Sequence, residues 1–366
     1  MASRRVVHDD LPFEPMDLQV IGNHPEHVDE SMLSISISTK DRLDLGDVEA
    51  AAPKATLGAL SPLPTELFDF VVQDSDLRTV AALRLVNRRA RTSVDASAPY
   101  KYLLRHAPHI VAALAQTGIS SFFTVDQVFQ VLCSNRCVQC DKFGSVLFIP
   151  ECLRCCFSCL QNVSWMMPMT ESDAKAVYGL TRRALVDVPS MLSLPGTYTF
   201  ESLAHRKRFR LYSYRMVELH GDADVVLRYL NKEGLSARNQ SWRRLWEPAR
   251  NGSKFITSAR FMAGISIPWF DTVTRTTYAG YACRGCQLRV MRRLKQGIDV
   301  ALVPELMCRQ YRMYLEDELL EHAKHCPEAQ EISALANLSR KLSTQGSPVT
   351  EEQSQLLEQM ALDLIV

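Results

Sequence analysis

Apolar residues recur at helical spacing through residues 60–118. On the first helix they share one face at i, i+4, i+7 and i+8, and these residues are Leu63, Leu67, Phe70 and Val71. Asp74 and Ser75 interrupt this run, and the apolar pattern resumes at Leu77. We therefore predict a helical module over residues 57–118.

The rest of the pattern predicts a mainly α chain with a small α+β region. An apolar run between Gly144 and Pro150 reads as one strand of a small hairpin. Residues 283–342 form a further helical region, and in the tail over residues 343–366 a capping box precedes an amphipathic stripe, which predicts a tail helix. Residues 170–282 show no clear periodicity, and the sequence leaves their fold undetermined.

The composition is that of an ordinary globular protein. Of the 366 residues, 46% are hydrophobic and 23% are charged, which supplies enough apolar material for a core. The formal net charge of +1 indicates no global field for nucleic acid or an anionic membrane. No apolar run approaches the roughly 18 residues of a membrane helix, and no apolar segment of a secretory signal follows the N-terminus. We expect an intracellular protein, cytoplasmic or nuclear, with no membrane partner.

Charge is unevenly distributed along the chain. Residues 1–56 hold 11 Asp and Glu against 5 Lys and Arg, and we predict a mostly disordered acidic arm. Residues 202–260 reverse the balance, with 13 Lys and Arg against 5 Asp and Glu. We interpret them as a solvated basic face and expect no nucleic-acid partner, with sequence-independent nucleic-acid contact as the alternative.

Eleven cysteines occur in a chain expected in a reducing compartment, where structural disulfides are rare. Two C-x-x-C pairs separated by fifteen residues are typical of a four-cysteine zinc cage, and their members are Cys137, Cys140, Cys156 and Cys159. Because four protein ligands close the coordination sphere, we predict a structural zinc-binding region over residues 119–169. Cys152 and Cys155 offer a competing second pair.

A second set of zinc ligands is predicted within residues 170–342, and its members are Cys283, Cys286, His322 and Cys326. His322 and Cys326 lie in helical sequence, where a spacing of four places them on one helix face, one turn apart. His325 is an alternative ligand that lacks this spacing. The sequence therefore predicts two structural zinc ions per chain.

The helical module also carries a recognisable order of residues. Leu63-Pro64 is followed by Glu66-Leu67, then by Leu77, and then by the run from Leu83 to Arg88 that reads LRLVNR. This order resembles the F-box family, in which a leucine, an arginine and apolar residues lead into a cysteine or asparagine and a basic residue. A helical module this small leaves leucines outside its core, and an exposed apolar patch marks an interaction site. The resemblance implies that a Skp-type adaptor binds this patch through Leu63, Pro64, Leu67, Leu77, Leu83 and Val86.

Two further stretches are similar to a group of fungal F-box proteins that carry a cysteine-rich zinc-binding region. These are PECLRCCFSCL around Cys156 and IPWFDTVTRTTYAGYACRGC before Cys286. In that group the position of Cys155 is less constrained than the positions of Cys156 and Cys159, which favours the latter pair over the pair that begins at Cys152. The resemblance implies an N-terminal helical F-box followed by an irregular zinc-binding region for substrate recognition.

The F-box resemblance implies a non-catalytic adaptor of a Skp–cullin–F-box ubiquitin ligase. The F-box is expected to bind the Skp-type adaptor, which bridges to a cullin, while the zinc-stabilised C-terminal region binds a protein target. The target, its degron, the pathway and the oligomeric state do not follow from the sequence. The alternative is a zinc-dependent nucleic-acid-binding or transcription-related protein.

Spacing and missing motifs argue against other classes. A RING domain needs eight interleaved ligands in a compact segment, whereas 123 residues separate Cys159 from Cys283. The cysteines also lack the two even halves of a fungal binuclear cluster. No nucleotide loop, H-E-x-x-H helix or Gly-x-Ser-x-Gly elbow is present, and a zinc ion with four protein ligands leaves no position open for water. We therefore expect no enzymatic activity of its own.

Overall fold

The chain divides into two compact units. The larger unit comprises residues 30–278, and the smaller unit joins residues 1–29 to residues 279–366. The described residues are mainly helical with small antiparallel sheets, as the sequence predicts. A computed structural model describes residue 13 and residues 17–23, 34–35, 56–178, 180–198, 204–220, 259–298 and 304–345.

The helices of the described ranges are, in chain order, α1 (Leu18–Ile21), α2 (Thr65–Asp74), α3 (Leu77–Val86), α4 (Arg88–Ala96), α5 (Ala98–His106), α6 (Pro108–Thr117), α7 (Val125–Cys133), α8 (Phe157–Asn162), α9 (Glu171–Tyr178), α10 (Tyr214–His220), α11 (Arg284–Lys295), α12 (Pro304–Gln310), α13 (Glu316–Ala323) and α14 (Pro327–Gln345). Single turns of 3-10 helix are Gly58–Leu60, Ile149–Glu151 and Ser164–Met166. Within these ranges, no helix has the length and apolar character needed to cross a membrane.

The strands are short. In chain order they are β1 (Gly22–Asn23), β2 (Ser34–Ile35), β3 (Val146–Phe148), β4 (Leu153–Cys155), β5 (Pro168–Thr170), β6 (Ser190–Leu192), β7 (Gly196–Thr197), β8 (Ala204–His205), β9 (Arg210–Ser213), β10 (Gly264–Ser266), β11 (Trp269–Asp271), β12 (Thr276–Tyr278), β13 (Tyr281–Cys283) and β14 (Met313–Tyr314). They pair in the orders β2–β7–β8, β10–β3–β4, β5–β9–β6, β11–β12 and β1–β13–β14.

The helical module over residues 57–118 is present as α2 to α6. Asp76 caps α3, because its carboxylate accepts the backbone N–H of Thr79 at 2.9 Å. Asn87 caps α4 in the same way, accepting the N–H of Ala90 at 2.9 Å. Each cap satisfies a backbone amide in the first turn of its helix. The connections from α2 to α3 and from α3 to α4 can therefore be very short.

A buried ion pair locks α3 against α4. The guanidinium of Arg84 is almost fully buried and donates to both carboxylate oxygens of Asp95, at 2.6 Å and 3.2 Å. Such a two-point contact fixes the mutual orientation of the two helices as well as their distance. Removal of Asp95 would take this partner away from the buried guanidinium of Arg84, whereas Asp95 is partly exposed and also lies 3.8 Å from the guanidinium of Arg91.

The module continues into the residues that follow it. The N–H of Leu77 donates to the carbonyl of Phe123 at 3.2 Å, and the N–H of Val125 donates to the carbonyl of Ser75 at 3.1 Å. Helix α7 packs against α2 and α5. The boundary placed after residue 118 therefore falls inside the larger unit.

The expected hairpin contains β3 and β4, which are antiparallel with Val146 opposite Cys155. Strand β10 adds to the free edge of β3, with Gly264 opposite Phe148. A β-carbon at Gly264 would lie 2.7 Å from Cδ2 of Leu160, so glycine allows a close approach of this strand to α8. A strand from far along the chain thus completes the sheet of the first cysteine region.

A second sheet gives part of residues 170–282 a defined fold. Strand β9 is central, with β5 on one edge and β6 on the other, and helices α9 and α10 pack on it. Their shared core consists of Met169, Ala174, Tyr178, Leu180, Leu185, Val188, Tyr212, Tyr214 and Val217. Residues 170–342, taken as one region from the sequence, extend across both units.

In the smaller unit, β13 is the central strand and lies between β1 and β14. Helix α13 packs on this sheet, and helices α11 and α14 pack on each other. The core contains the three cysteines of the second predicted set: its buried residues are Leu18, Ile21, Cys283, Cys286, Tyr314, Leu319, Ala323, Cys326 and Ala329.

The N-terminal region differs in part from the disordered arm expected over residues 1–56. Residues 17–23 form α1 and β1, and residues 34–35 pair with β7. The apolar pattern of residues 17–23 is too short to be recognised without the elements it packs on, which come from the far end of the chain. Most of the remaining arm lies outside the described residues, as does the predicted tail helix beyond residue 345.

Candidate metal centres

Two groups of metal-ligating side chains converge among the described residues, and within each group the ligand atoms all lie within 4.8 Å of one another. The first group, in the larger unit, is Cys137, Cys140, Cys156 and Cys159. The second group, in the smaller unit, is Cys283, Cys286, His322 and Cys326. Both groups contain the residues predicted from the sequence, and each can hold a metal ion.

A tight turn places the first two thiols of the first group. The N–H of Cys137 donates to the carbonyl of Lys142 at 2.7 Å, and the N–H of Asp141 donates to the carbonyl of Cys137 at 3.0 Å. Asp141 has φ +58°, in the left-handed region that aspartate tolerates better than most residues. This backbone path brings Cys140 to the same side as Cys137.

The other two thiols of the first group lie at the start of α8. Cys156 is the N-cap residue of this helix, and its sulfur accepts the backbone N–H of Cys159 at 3.4 Å. The cysteine therefore occupies the role that serine or aspartate usually has at a helix start. Extended strand β4 enters this helix directly, so Cys156 and Cys159 lie within one turn of each other.

The spacing of the sulfur atoms fits a tetrahedral ion. Zn–S bonds of about 2.3 Å place the sulfurs of a regular tetrahedron roughly 3.8 Å apart. The sulfurs of Cys140 and Cys156 are separated by 3.7 Å. Four thiolates without an open position suit zinc and do not suit hard cations such as Mg²⁺ or Ca²⁺.

The thiols of the first group lie close enough together to shift one another's pKa values. Hydrogen bonds from Cys156 and Cys159 lower the pKa of Cys137. The hydrogen bond to Cys137 is the largest cause of the raised pKa of Cys159, and it raises that of Cys156 to about 12. A divalent ion bound to this group would stabilise all four sulfurs as thiolates.

The other cysteines of this region do not join the described metal groups. Cys152 and Cys155 are buried and lie outside the first group, so the pair that begins at Cys156 is the one brought together. Burial raises the pKa of Cys152 to about 12 and that of Cys155 well above its ordinary value. Cys133 is partly buried, and burial raises its pKa to about 11. Protonated thiols of this kind are inert.

Arg154, which the sequence did not single out, holds the first metal region together. Its guanidinium is buried, and burial lowers its pKa to about 9. It donates to five backbone carbonyls from three separate segments, namely Val131 (3.0 Å), Leu132 (3.4 Å), Gly144, Ile267 (3.4 Å) and Pro268 (2.6 Å). This single side chain thus connects helix α7, the segment of the cysteine turn, and the loop between strands β10 and β11. In the sequence, the only indication of this structural role is an arginine that directly precedes two cysteines.

The second group has a similar geometry. Cys283 ends β13 and caps α11, and Cys286 lies in the first turn of that helix. The sulfurs of Cys283 and Cys326 are 3.9 Å apart, and Nε2 of His322 lies 3.3 Å from the sulfur of Cys286. A tetrahedral zinc ion requires about 3.8 Å between sulfurs and about 3.5 Å between sulfur and nitrogen.

The predicted arrangement of His322 and Cys326 on one helix face is wrong. Helix α13 ends at Ala323, and Cys326 lies just before α14, where its N–H donates to the carbonyl of Ala323 at 3.2 Å. The cause is Pro327, because proline disfavours helical backbone at the preceding residue. The two ligands meet across a helix–helix turn, and His325 is mostly exposed outside the group.

Aromatic and ionic contacts position the ligands of the second group. The ring of Tyr314 is buried and stacks on the His322 ring with centroids 4.7 Å apart. The guanidinium of Arg289 donates to the carboxylate of Glu328 at 2.8 Å, which ties α11 to the start of α14 beside Cys326. Outer contacts of this kind orient metal ligands and are a regular part of metal sites.

Gly285, between the two cysteines of α11, permits a close contact with α14. A β-carbon there would lie 2.8 Å from Cα of Ala329 and 2.9 Å from the carbonyl carbon of Glu328. We expect Gly285→Ala to destabilise the smaller unit by about 2–3 kcal/mol, because the atoms it meets are backbone and cannot rotate away. The measurement is the rate at which a chelator removes one metal ion, which should be faster for the variant than for the wild type.

The matched control is Arg293→Ala on the exposed side of α11. It raises helix propensity and touches no ligand, so release of the metal should follow the wild-type rate. Equal release rates for Gly285→Ala and the wild type would contradict the close packing.

The predicted adaptor-binding residues lie just before α2, on α2 and on α3, and their exposure differs. Leu67 is 50% exposed and Val86 is 68% exposed, while Pro64 is also exposed. Leu63 and Leu83 are half-buried. Leu77, by contrast, is 3% exposed and belongs to the core, so it is removed from the candidate surface. Two further residues of this surface, Phe70 and Leu85, are also exposed and were not among the predicted adaptor-binding residues.

A scan of protein-family models, a search of curated proteins and a search of solved structures found no match to this chain.

Proposed function

We propose that the chain is the target-recruiting adaptor of a Skp–cullin–F-box ubiquitin ligase. Helices α2 to α4 bind the Skp-type adaptor, which bridges to a cullin. The regions around the two metal groups provide the rigid scaffold for a protein target. The proposal has the chain carry no catalytic residue of its own and act by bringing the target to the ligase.

The observation that carries this proposal is the outward apolar face of α2. Phe68 and Val72 point into the core, whereas Leu67, Phe70 and Val71 on the opposite side are exposed. Exposed apolar residues at i, i+3 and i+4 form a continuous ridge on a helix. Isolated surface leucines are common, but a contiguous ridge of this kind marks an interaction site.

The end of α3 extends the apolar character of the module. Leu85 is 82% exposed and Val86 is 68% exposed, immediately before the cap at Asn87. The neighbouring Arg84 instead points inward to its ion pair. Within the run LRLVNR, the first arginine makes a buried structural contact, and the leucine and valine that follow it are exposed and available to a partner. This arrangement supports the resemblance to the F-box.

We infer that the metal at both groups is zinc in a structural role. The donors are three or four thiolates with at most one imidazole, in tetrahedral spacing, which suits zinc over hard cations. Each group supplies four protein ligands, so no coordination position remains for a substrate. The two ions then stabilise the scaffold that presents the target-binding surface.

Adaptor binding is tested with the double variant Leu67→Asp, Phe70→Asp. Large exposed apolar residues that become buried in an interface contribute about 2 kcal/mol or more each, so affinity for a purified Skp-type adaptor should fall at least about 100-fold. Calorimetric titration measures the affinity. Zinc content should remain at the wild-type level, because neither side chain touches a metal ligand.

Val273→Asp is the matched control, since this valine is highly exposed in the turn between β11 and β12. It introduces the same charge outside the helical module and should leave adaptor affinity unchanged. The adaptor assignment is wrong if the wild type shows no binding, or if the double variant binds as tightly as the control.

A further inference from the structure

The N-terminal segment Asp17–Asn23 lies in a groove of the smaller unit. Leu18 and Ile21, three residues apart on the single turn of α1, are both buried. Their neighbours in the core include the metal-group cysteines of β13 and α11 and apolar residues of α13 and α14. The segment therefore fills a position in the core that the C-terminal elements leave vacant.

Backbone hydrogen bonding adds to the apolar contacts. Gly22 pairs with Cys283 and Asn23 pairs with Ala282, so β1 forms the outer strand of the sheet whose central strand carries a metal ligand. The guanidinium of Arg284 donates to the carbonyl of Val20 at 3.3 Å. This is the pattern of peptide recognition by strand addition, with apolar anchors on an adjoining turn.

Gly22 packs closely against its own segment and against two side chains of the groove. A β-carbon at this position would lie 2.6 Å from the carbonyl oxygen of Leu18, 3.1 Å from Cδ2 of Leu319 and 3.3 Å from Cδ1 of Tyr281. Only glycine allows the chain to change from the helical turn to the strand while packed this closely. The groove thus takes two apolar anchors three residues apart, followed directly by glycine and an extended residue.

The walls of the groove are the elements that the second metal group joins. Cys283 and Cys286 belong to β13 and α11, His322 lies in the last turn of α13, and Cys326 precedes α14. An ion bound to all four residues cross-links these elements. Because metal binding at such sites is coupled to folding, the groove should lose its shape when the ion is removed.

We propose that this groove is a peptide-binding site organised by the second metal ion and occupied by the N-terminal segment of the same chain. Its ligand is a short apolar segment of the form Leu-x-x-Ile-Gly-Asn. The dependence on metal rests on the zinc assignment proposed above, whereas the docking of the segment rests on the contacts alone. The N-terminal arm is thereby fastened to the C-terminal part of the chain.

Hydrogen exchange of the full-length, metal-loaded protein tests the docking. Amides of residues 22–23 should exchange at least about 100-fold more slowly than in the double variant Leu18→Asp, Ile21→Asp, because docking preserves both the hydrogen bond from the Gly22 N–H to the carbonyl of Leu18 and the pairing of β1 with β13. Gln19→Asp places the same charge on the exposed position of α1 and should keep the wild-type protection. Gly22→Ala should release the segment without placing a charge in the core.

A labelled peptide of residues 13–25 tests whether the groove is a binding site. The peptide should bind full-length Gly22→Ala, in which the groove is free, at least about 10-fold more tightly than the wild type, in which it is occupied. Equal binding to both proteins, or no binding to either, overturns the proposal. Wild-type protection of residues 22–23 in both Gly22→Ala and the double variant overturns it as well.

Chelation separates the two parts of the inference. Elemental analysis should find two ions before chelation, and protection of residues 22–23 should disappear together with the second ion. If protection persists after that ion is lost, the metal dependence is wrong and the docking stands. If the purified protein holds no ion at the second group and yet protects the segment, the zinc assignment is wrong and the docking again stands.

Discussion

Cys156→Ser should remove one metal ion per chain and unfold the region around β3, β4 and α8. Cys156 is one of four thiols that close the first group, and it also caps α8. Metal binding at structural sites of this kind contributes on the order of 10 kcal/mol or more to folding, which is comparable to the entire stability of a typical domain, about 5–15 kcal/mol. Loss of one ligand therefore exceeds what the surrounding core can offset.

The measurement is elemental analysis combined with urea unfolding of the purified variant. Cys133→Ser is the matched control, because Cys133 lies in the same region but outside the described metal groups. Its thiol is only partly buried, so the serine should cost no more than about 1–2 kcal/mol and leave the metal content unchanged. A silent Cys156→Ser together with a severe Cys133→Ser would contradict the assigned ligands.

Arg154→Met should destabilise the larger unit by at least about 3–4 kcal/mol, even with metal bound. Methionine keeps the apolar stem but removes every N–H donor, so up to five buried carbonyls lose a partner. Each buried acceptor left unsatisfied costs about 1–3 kcal/mol. The loss of free energy exceeds that of one ordinary hydrogen bond because the contacts of one side chain to three chain segments are removed together.

Urea unfolding of the metal-loaded protein measures this effect. Arg136→Met serves as the control, since Arg136 lies on the same cysteine turn but is exposed. Its substitution should change stability by no more than about 0.5–1 kcal/mol. Arg154→Lys retains the charge but cannot serve five acceptors in a planar array, so it should resemble the methionine variant. If both Arg154 variants unfold like the wild type, the carbonyls are satisfied in another way.

The sequence by itself determined the parts of this protein that depend on local spacing. A C-x-x-C pair brings two thiols onto one turn, so three of the four ligand pairs could be predicted before any fold was known, whereas the shared helix face predicted for His322 and Cys326 is wrong. The helical module followed from apolar periodicity, and the hairpin strand β3 followed from a short apolar run with breakers at both ends. These signals act within a few residues, and the rest of the chain cannot alter them greatly.

Periodicity could not decide which apolar face of α2 is buried. Both faces carry large apolar residues, with Phe68 on one side and Leu67 and Phe70 on the other. The helices that pack on α2 determine that Phe68 is covered. The same reason explains Leu77, which was assigned to the adaptor surface and is a core residue.

Only the tertiary structure decided the contacts between distant segments. Strand β10 completes the hairpin of β3 and β4, Arg154 joins carbonyls from three segments, and residues 17–23 close the core of the smaller unit. Each contact depends on two stretches that carry no mutual signal in one sequence, because the free energy arises only when both surfaces are present. Local chemistry therefore revealed the metal ligands, and long-range packing decided what those ligands hold together.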